Sequence, residues 1–262
     1  MKLDNCSALV TGASAGIGRE FARQLARRAA VLVLVARRRE RLEQLRAELV
    51  TANPTVKIFT RVVDLSDRAQ IDALVTWLAE GKIDIDFLIN NAGRGDYGPV
   101  ATSDPARNAE MILLNIAALT ALSRALLPPM QAKKRGAILN VSSSAAFLPI
   151  SGMAVYAATK AYVNSLTEAL RAELRGSGVS VTALCPGPVH TEFGDAAKRP
   201  GGKAESGPQF TYVDVEQVVA AGLAAVEADR PLVIPGLFMK IGMLLVRLTP
   251  MSILRVLNEK FR

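Results

Sequence analysis

Histidine is nearly missing from this chain of 262 residues, which holds one, His190. A single imidazole excludes a multi-histidine metal site, and a Ser-His-Asp hydrolase would have to depend on it alone. Cysteine is as scarce. Cys6 and Cys185 sit in separate apolar, strand-like runs with neither metal spacing nor a disulfide framework, so no metal site is expected. Two buried free thiols in a reducing, cytoplasmic setting are. Aromatic residues make up 5% of the chain and do not alternate with basic ones, which argues against nucleic acid despite a net charge of +8. That charge suits acidic small molecules, a phosphorylated cofactor or an anionic membrane surface. No uninterrupted apolar run reaches ~18 residues, so no membrane-spanning helix is expected. The first strand begins so early that no signal peptide fits before it.

Half of the residues are hydrophobic, enough for one α/β domain with a large core. The chain opens with a strand over Asn5 to Val10. Thr11-Gly12-Ala13-Ser14-Ala15-Gly16-Ile17-Gly18 follows at once, then a helix with apolar positions Phe21, Ala22, Leu25 and Ala29. Strand, glycine turn and helix form the context of a dinucleotide-binding loop. The glycines allow close approach to a pyrophosphate, and the helix N-terminus offers it N–H groups and a positive dipole end.

Val31 to Val35 is an unbroken aliphatic strand. An acid near the end of this strand normally holds a ribose 2′-hydroxyl, but here Ala36-Arg37-Arg38-Arg39 follows. Arg37 is expected to pair with a 2′-phosphate, favouring NADP(H) over NAD(H). The bland alternative makes these arginines the solvated start of the next helix. Strands over Thr55 to Val63 and Phe87 to Ile89 end in Asp64-Leu65-Ser66-Asp67 and Asn90-Asn91-Ala92-Gly93. Asp64 faces an adenine or serves as a turn residue, and Ser66 or Asp67 caps the following helix. Arg94 to Pro105 reads as a polar loop and Ala106 to Met130 as one long helix carrying Asn115. A buried Asn must find partners. The backbone of a neighbouring helix and a water near Lys160 are both open.

A strand over Ala137 to Val141 delivers Ser142 to Ser144. Beyond a Pro/Gly loop, Tyr156 and Lys160 stand at i and i+4 on an Ala-rich helix, on one face. A free Tyr titrates near ~10, and a nearby ammonium favours its phenolate. With Ser143 bonding the same substrate oxygen, this is acid/base equipment for interconverting a carbonyl and an alcohol. Alone, Tyr-x-x-x-Lys is also an ordinary helix pair. Val179 to Leu184 makes a sixth strand, ending in Cys185-Pro186-Gly187-Pro188-Val189-His190-Thr191. Phe193 to Gln209 reads as a mobile loop, Asp214 to Ala228 as a helix and Pro231 to Pro235 as a last strand. The alternation predicts a single-domain, doubly wound parallel sheet of about seven strands with helices on both faces.

In order and spacing these motifs resemble the short-chain dehydrogenase/reductase family over about residues 5 to 235. Those that carry the resemblance are Thr11-Gly12-x-x-x-Gly16-x-Gly18, Asn90-Asn91-Ala92-Gly93, Asn115, Ser143, Tyr156-x-x-x-Lys160 and Pro186-Gly187. The resemblance implies an NAD(P)-dependent oxidoreductase on a Rossmann-like sheet. Hydride would pass between NADP(H), or NAD(H) as second choice, and a carbonyl or secondary alcohol. Tyr156 would be the general acid/base, Ser143 would position the carbonyl, Lys160 would bind the nicotinamide ribose and lower the Tyr pKa, and Asn115 would hold a relay water. Cofactor contacts would come from Gly12, Ser14, Gly16, Ile17, Gly18, Arg37, Asp64, Leu65, Asn91, Ala92, Gly93, Tyr156, Lys160, Pro186, Gly187, Val189 and Thr191. The loop after Thr191 would be the substrate lid. Ala15 departs from a basic residue found in some NADP-using members, leaving phosphate selection to Arg37. Two alternatives are a nucleotide-binding sensor or scaffold without turnover, and an epimerase or dehydratase. The complete Asn115, Ser143, Tyr156 and Lys160 set argues against the first, and the short substrate region against the second.

Residues 1–235 thus form the expected catalytic domain and 236–262 a tail. The helices bearing Asn115 and Tyr156 are apolar beyond one core face, so a homodimer or homotetramer is expected. In the tail, Leu237, Phe238, Ile241, Leu244, Leu245 and Leu248 form a helical stripe with Lys240 and Arg247 beside it. Ile253, Leu254, Leu257 and Phe261 form a second, with Arg255, Lys260 and Arg262. The favoured reading packs these helices on the domain or a neighbouring subunit, over a cleft for a lipophilic substrate. The other lays them on an anionic membrane as a peripheral contact.

Overall fold

The computed structural model describes residues 1–201, 208–250 and 252–255. Its strands are β1 (Ser7–Thr11), β2 (Val31–Ala36), β3 (Lys57–Val62), β4 (Phe87–Asn90), β5 (Gly136–Val141), β6 (Val179–Leu184) and β7 (Leu232–Val233). They form one parallel sheet in the order β3-β2-β1-β4-β5-β6-β7. Register is tight through the centre, where Leu9 pairs with both Val33 and Leu88. Because both faces are covered, β2 is aliphatic throughout, and β1, β4 and β5 are apolar along most of their length rather than alternating with polar residues.

The helices are α1 (Gly16–Ala26), α2 (Arg39–Ala52), α3 (Arg68–Glu80), α4 (Pro105–Ile112), α5 (Leu119–Ala132), α6 (Ala154–Glu173), α7 (Glu192–Ala197), α8 (Val215–Glu227) and α9 (Leu237–Leu248). One core joins Ala8, Val10, Leu32 and Leu34 to Phe21 and Leu25 of α1, Leu42 and Leu45 of α2 and Val218 of α8. The other joins Leu9, Val33 and Leu88 to Leu74 of α3, Leu122 and Leu126 of α5 and Leu170 of α6. The two faces of each strand thus feed two helical layers, as the alternation of elements predicts. Asp67, not Ser66, caps α3 by accepting from the Ala69 N–H.

Three local expectations change. The helix expected over Ala106 to Met130 is not uniform: α4 and α5 are joined by a π-helical segment, Leu113–Ala118, which carries Asn115. The wider turn re-aims side chains within an otherwise continuous helix. Taken together, Pro105–Ala132 is long and apolar enough to cross a bilayer by length and composition, which the search for uninterrupted apolar runs did not foresee. Part of it is buried against the sheet, where Leu122, Leu126 and Met130 fill the core, as in a core helix. Next, the stretch expected to be a mobile loop from Phe193 begins with α7, whose cap Thr191 accepts from the Phe193 N–H. Finally, α9 buries only Met239, against Gly187, so the tail's apolar stripe is not covered by the domain. Leu257, Lys260, Phe261 and Arg262 lie outside the described residues.

Candidate active site

The sequence-predicted residues gather along the carboxyl ends of β1 to β6, the edge where open α/β sheets bind ligands. At the β1/β4 seam, the Thr11 hydroxyl donates to the Ile89 carbonyl and accepts from the Asn91 and Ala92 amides. Asn91 answers by donating from Nδ2 to the Thr11 carbonyl at 2.8 Å. Gly12 has φ +67°, and a Cβ there would stand 2.7 Å from Asn91 Nδ2. A Cβ on Gly18 would stand 2.4 Å from the same atom and from the Gly12 carbonyl. The turn therefore tolerates no side chain at either place. No side chain caps α1, and its first turn holds no acid. Its N–H groups and positive dipole end remain available to an anion, so the cradle fits a pyrophosphate. Ile17 leans on the core beneath the turn.

Arg37 lies at the end of β2, as expected, but its guanidinium is drawn 2.8 Å from Glu110 on α4, with Asp64 at 3.8 Å. Arg38 turns to the glycine loop instead. It donates to the Ser14 hydroxyl at 3.2 Å and pairs with Glu192 on α7 at 2.8 Å. Glu192 also pairs with Arg41. Sequence reasoning gave Arg37 the leading part; the structure brings Arg38, Arg41 and Ser14 together beside the turn, a cluster that fits a phosphate next to the adenosine ribose. Asp64 takes the turn role, its Oδ1 accepting from the Ser66 amide and hydroxyl. The Leu65 side chain is buried in the core beneath β3.

Gly12-x-Ser14-x-Gly16 also spells the pattern of a hydrolase nucleophile elbow. Here the Ser14 hydroxyl accepts from a guanidinium, while His190 stacks on Tyr212 with ring centroids 4.2 Å apart. Neither contact makes a nucleophile and base pair. Among the described residues, no cluster of His, Cys, Asp or Glu is placed to hold a metal ion.

Asn115 is buried with its side chain fully engaged. Its Oδ1 accepts from the Arg94 N–H, and its Nδ2 donates to the Arg94 carbonyl and to Thr159 Oγ1, each at 3.0 Å. The backbone it bonds belongs to the loop after β4, not to a neighbouring helix as expected. Gly93 lies under this group: a Cβ on it would stand 3.1 Å from Asn115 Oδ1 and 3.5 Å from Lys160 Nζ. Ser143 caps a 3-10 turn (Ser144–Phe147) by accepting from the Ala145 N–H, and its hydroxyl acts to lower the pKa of the Tyr156 phenol. Lys160 donates from Nζ to the Val141 carbonyl at 2.8 Å, and Nζ stands 5.8 Å from the Tyr156 ring centroid.

Both ionisable groups are buried, and burial disfavours whichever form is charged. It pushes the Tyr156 phenol up to about 12, against the lowering effect of Ser143, and pushes Lys160 down to about 8. The expected lowering of Tyr156 by Lys160 is therefore not realised in the protein alone, where Nζ is turned to the Val141 carbonyl.

The stretch after Thr191, expected as a loop, lies over Tyr156 as a helix, with a ring contact that sequence reasoning missed. Phe193 of α7 packs on its ring with centroids 5.5 Å apart, and Gly95 leaves room for Phe193, since a Cβ there would stand 2.9 Å from it. Buried Asp96 holds Arg199 and Arg107, and Arg107 donates to the Ala196 carbonyl. Arg199 also donates to the carbonyls of Gly98 and Pro99. These bonds tie the Arg94 to Pro105 loop to α7. Thr191 lies against Gly16, where a Cβ would be 3.2 Å from it, and Val189 rests on the core. The Pro186 carbonyl accepts from the Ser144 N–H at 2.8 Å, fixing the Ser143 loop to the end of β6. Met111, Ala145, Ala157, Ile150, Met153 and Phe193 make the surroundings of Tyr156 apolar.

Comparison with known proteins agrees with this geometry. The family model described as short chain dehydrogenase matches residues 7–200. Sulfoacetaldehyde reductase 2 of Chromohalobacter salexigens is 38% identical over 187 residues, 71% of this chain and 73% of the relative. The NADP-dependent 3-hydroxy acid dehydrogenase of Escherichia coli (strain K12) is 36% identical over 223 residues, 80% of this chain and 86% of the relative. A short-chain dehydrogenase from Sphingobium yanoikuyae in complex with NADPH superposes with a TM-score of 0.81 at 35% identity, covering 88% of each chain.

Proposed function

The chain belongs to the short-chain dehydrogenase family and is an oxidoreductase acting on CH–OH groups, and from that premise we propose that Tyr156 is the general acid/base of hydride transfer between NADP(H) and a lipophilic carbonyl or secondary alcohol. The observation that carries this reading is the convergence of Ser143, Tyr156 and Lys160 beside Gly93, a short step from the glycine cradle.

The bound nicotinamide supplies the hydride. The protein's part is to position and to move one proton. In the reducing direction, Ser143 and Tyr156 bond the carbonyl oxygen, and the phenol gives its proton to that oxygen as the alkoxide develops. Lys160 supports the adjoining ribose and returns positive charge to the phenolate. Asn115 holds the Gly93-Arg94 turn, and a relay water would sit between it and Lys160. Gly12, Ser14, Gly16, Ile17, Gly18, Asn91, Ala92 and Gly93 would line the dinucleotide, and Asp64 and the Leu65 backbone would hold its adenine end. Pro186, Gly187, Val189 and Thr191 would line its nicotinamide end.

NADP(H) is the preferred cofactor and NAD(H) the second. The arginines at the end of β2 support this, as do the NADP in the Escherichia coli relative's name and the NADPH in the Sphingobium complex. The apolar surroundings of Tyr156 favour a lipophilic substrate. Residues 1–235 act as the catalytic domain and 236–262 as an appended tail. Exposed Ile112 and Leu113 at the π-helical segment support pairing of subunits through this helix, as a homodimer or homotetramer. A monomeric mass at micromolar protein would remove that part of the reading.

The decisive experiment incubates the protein with NADPH and a panel of apolar ketones and aldehydes while following NADPH absorbance. Turnover by the native chain and its loss in Tyr156→Phe, with NADPH binding kept, is the expected result. NADPH binding without turnover of any carbonyl would favour the sensor or scaffold reading instead.

A further inference from the structure

Helix α9 is apolar on two sides. At 100° per residue, Met239, Gly242, Met243 and Val246 share one side. This side faces the domain: Met239 is buried, the other three are half-buried, and a Cβ on Gly187 would stand 2.8 Å from the Met239 side chain. The opposite side carries Leu237, Phe238, Ile241, Leu244, Leu245 and Leu248, which are 49% to 72% exposed. Six large apolar side chains in one continuous arc are far more than the scattered exposed hydrophobics of an ordinary surface. The patch runs on through Phe210, itself 66% exposed, whose ring meets that of Phe238 edge-on at 5.9 Å. Ile253, just past the end of α9, is also exposed.

The charges carried by α9 itself have one sign. Lys240 and Arg247 fall side by side at one flank of the arc, and Arg255 follows. From Arg230 to Asn258 the sequence holds no Asp or Glu. We infer that this face of α9 docks the enzyme on an anionic lipid bilayer, lying in the interface with its apolar arc in the acyl boundary and its cations among the headgroups.

Charge complementarity decides between a bilayer and a second copy of the chain. A two-fold contact through this face would bring the same basic flanks together, with no acid in the segment to answer them. Anionic headgroups answer every one of them, and an apolar arc flanked by Lys and Arg is the pattern of helices that lie in the interface. Length excludes spanning: the twelve residues of α9 reach about 18 Å, against a hydrocarbon core of about 30 Å. Because α9 packs on Gly187 and on the turn that follows Ser143, docking would set the mouth of the site beside the lipid. The arrival of a lipophilic carbonyl from the membrane would follow, and that consequence alone rests on the function proposed above.

The test uses the full chain with two vesicle preparations, phosphatidylcholine alone and phosphatidylcholine mixed with phosphatidylglycerol. The native protein should co-sediment with the mixed vesicles, remain in solution with the neutral ones and be released by salt. Leu244→Ser with Leu248→Ser removes exposed side chains only and should weaken sedimentation by about tenfold or more. Lys240→Glu with Arg247→Glu should abolish the preference for anionic vesicles. NADPH titration of each variant checks that the fold is kept, so vesicle binding is read separately from catalysis. Native protein that stays in solution with both preparations overturns the proposal. So does a serine variant that sediments like the native chain but falls from oligomer to monomer, which would assign the face to a contact between copies.

Discussion

Glu192 reaches back from the start of α7 to Arg38, its carboxylate 2.8 Å from the guanidinium that also bonds the Ser14 hydroxyl. Neighbouring Arg41 pairs with the same carboxylate. Helix α7 thus neutralises the cations that a cofactor phosphate would seek, and the pairing holds the Glu192 carboxyl below its usual range.

It follows that Glu192 and a 2′-phosphate compete. Replacing Glu192 with Gln should tighten NADPH severalfold and leave NADH nearly unchanged, since a half-exposed pair is worth about 0–1 kcal/mol. Fluorescence titration of both cofactors measures it. Equal weakening of the two would mean that Glu192 holds α7 in place rather than competing for Arg38.

Arg37 and Arg38 divide the selection of NADP. Arg38→Ala should cost more NADPH affinity than Arg37→Ala, because Arg38 already lies on Ser14 while Arg37 is held by Glu110. A charge-assisted phosphate bond is worth about 1.5–3 kcal/mol, so the expected loss is roughly ten- to a hundredfold. Calorimetric titration of each variant decides the order, and a larger loss for Arg37→Ala would restore the sequence-based assignment.

The protonation of Tyr156 gives the two reaction directions opposite pH responses. A phenol that keeps its proton up to about 12 is ready as an acid throughout the neutral range. Carbonyl reduction should therefore hold steady there, while alcohol oxidation, which needs the phenolate, should climb with pH by up to about tenfold per pH step. Tyr156→Phe should lower both by roughly 10²–10⁴-fold. An oxidation rate independent of pH would remove Tyr156 from the proton path.

Lys160 should cost stability at neutral pH. Its pKa is lowered from 10.5 to about 8, so the unfolded chain binds the extra proton between those values. Stability then rises with pH across that window, and below it the charged, buried ammonium opposes folding by about 3 kcal/mol at most. Lys160→Met should lack this rise. Comparing denaturant midpoints of the two proteins at several pH values measures the effect.

The sequence was most legible where function and fold use local patterns. An unbroken aliphatic run marked β2, the glycine spacing marked the turn before α1, and Tyr156 and Lys160 do share a helical face. Contacts that join distant parts of the chain were hidden. Nothing near Glu192 announces Arg38, and nothing near Asp96 announces Arg199. Those pairs exist only because the sheet brings its carboxyl ends together, and they are what convert an apparently structureless stretch into α7 and its anchor. The π-helical segment escaped for another reason: Leu113–Ala118 has ordinary helical composition, and its widening coincides with the bonds Asn115 makes to the Arg94 backbone and Thr159.

The seam between β1 and β4 also bears on how the protein is made. Leu9 and Leu88 are neighbours in the sheet but far apart in the chain, and the Thr11 and Asn91 stitches close across the same gap. Joining such remote strands is slow, because the intervening chain must be ordered before the contact rewards it. The cofactor cradle lies across this join and cannot form before β4 has docked beside β1. NADPH therefore binds finished molecules and passes over partly assembled ones. At a hundred times its Kd it would add about 2.7 kcal/mol to the finished state alone. Newly synthesised protein should accordingly resist proteolysis from the moment it becomes able to hold its cofactor.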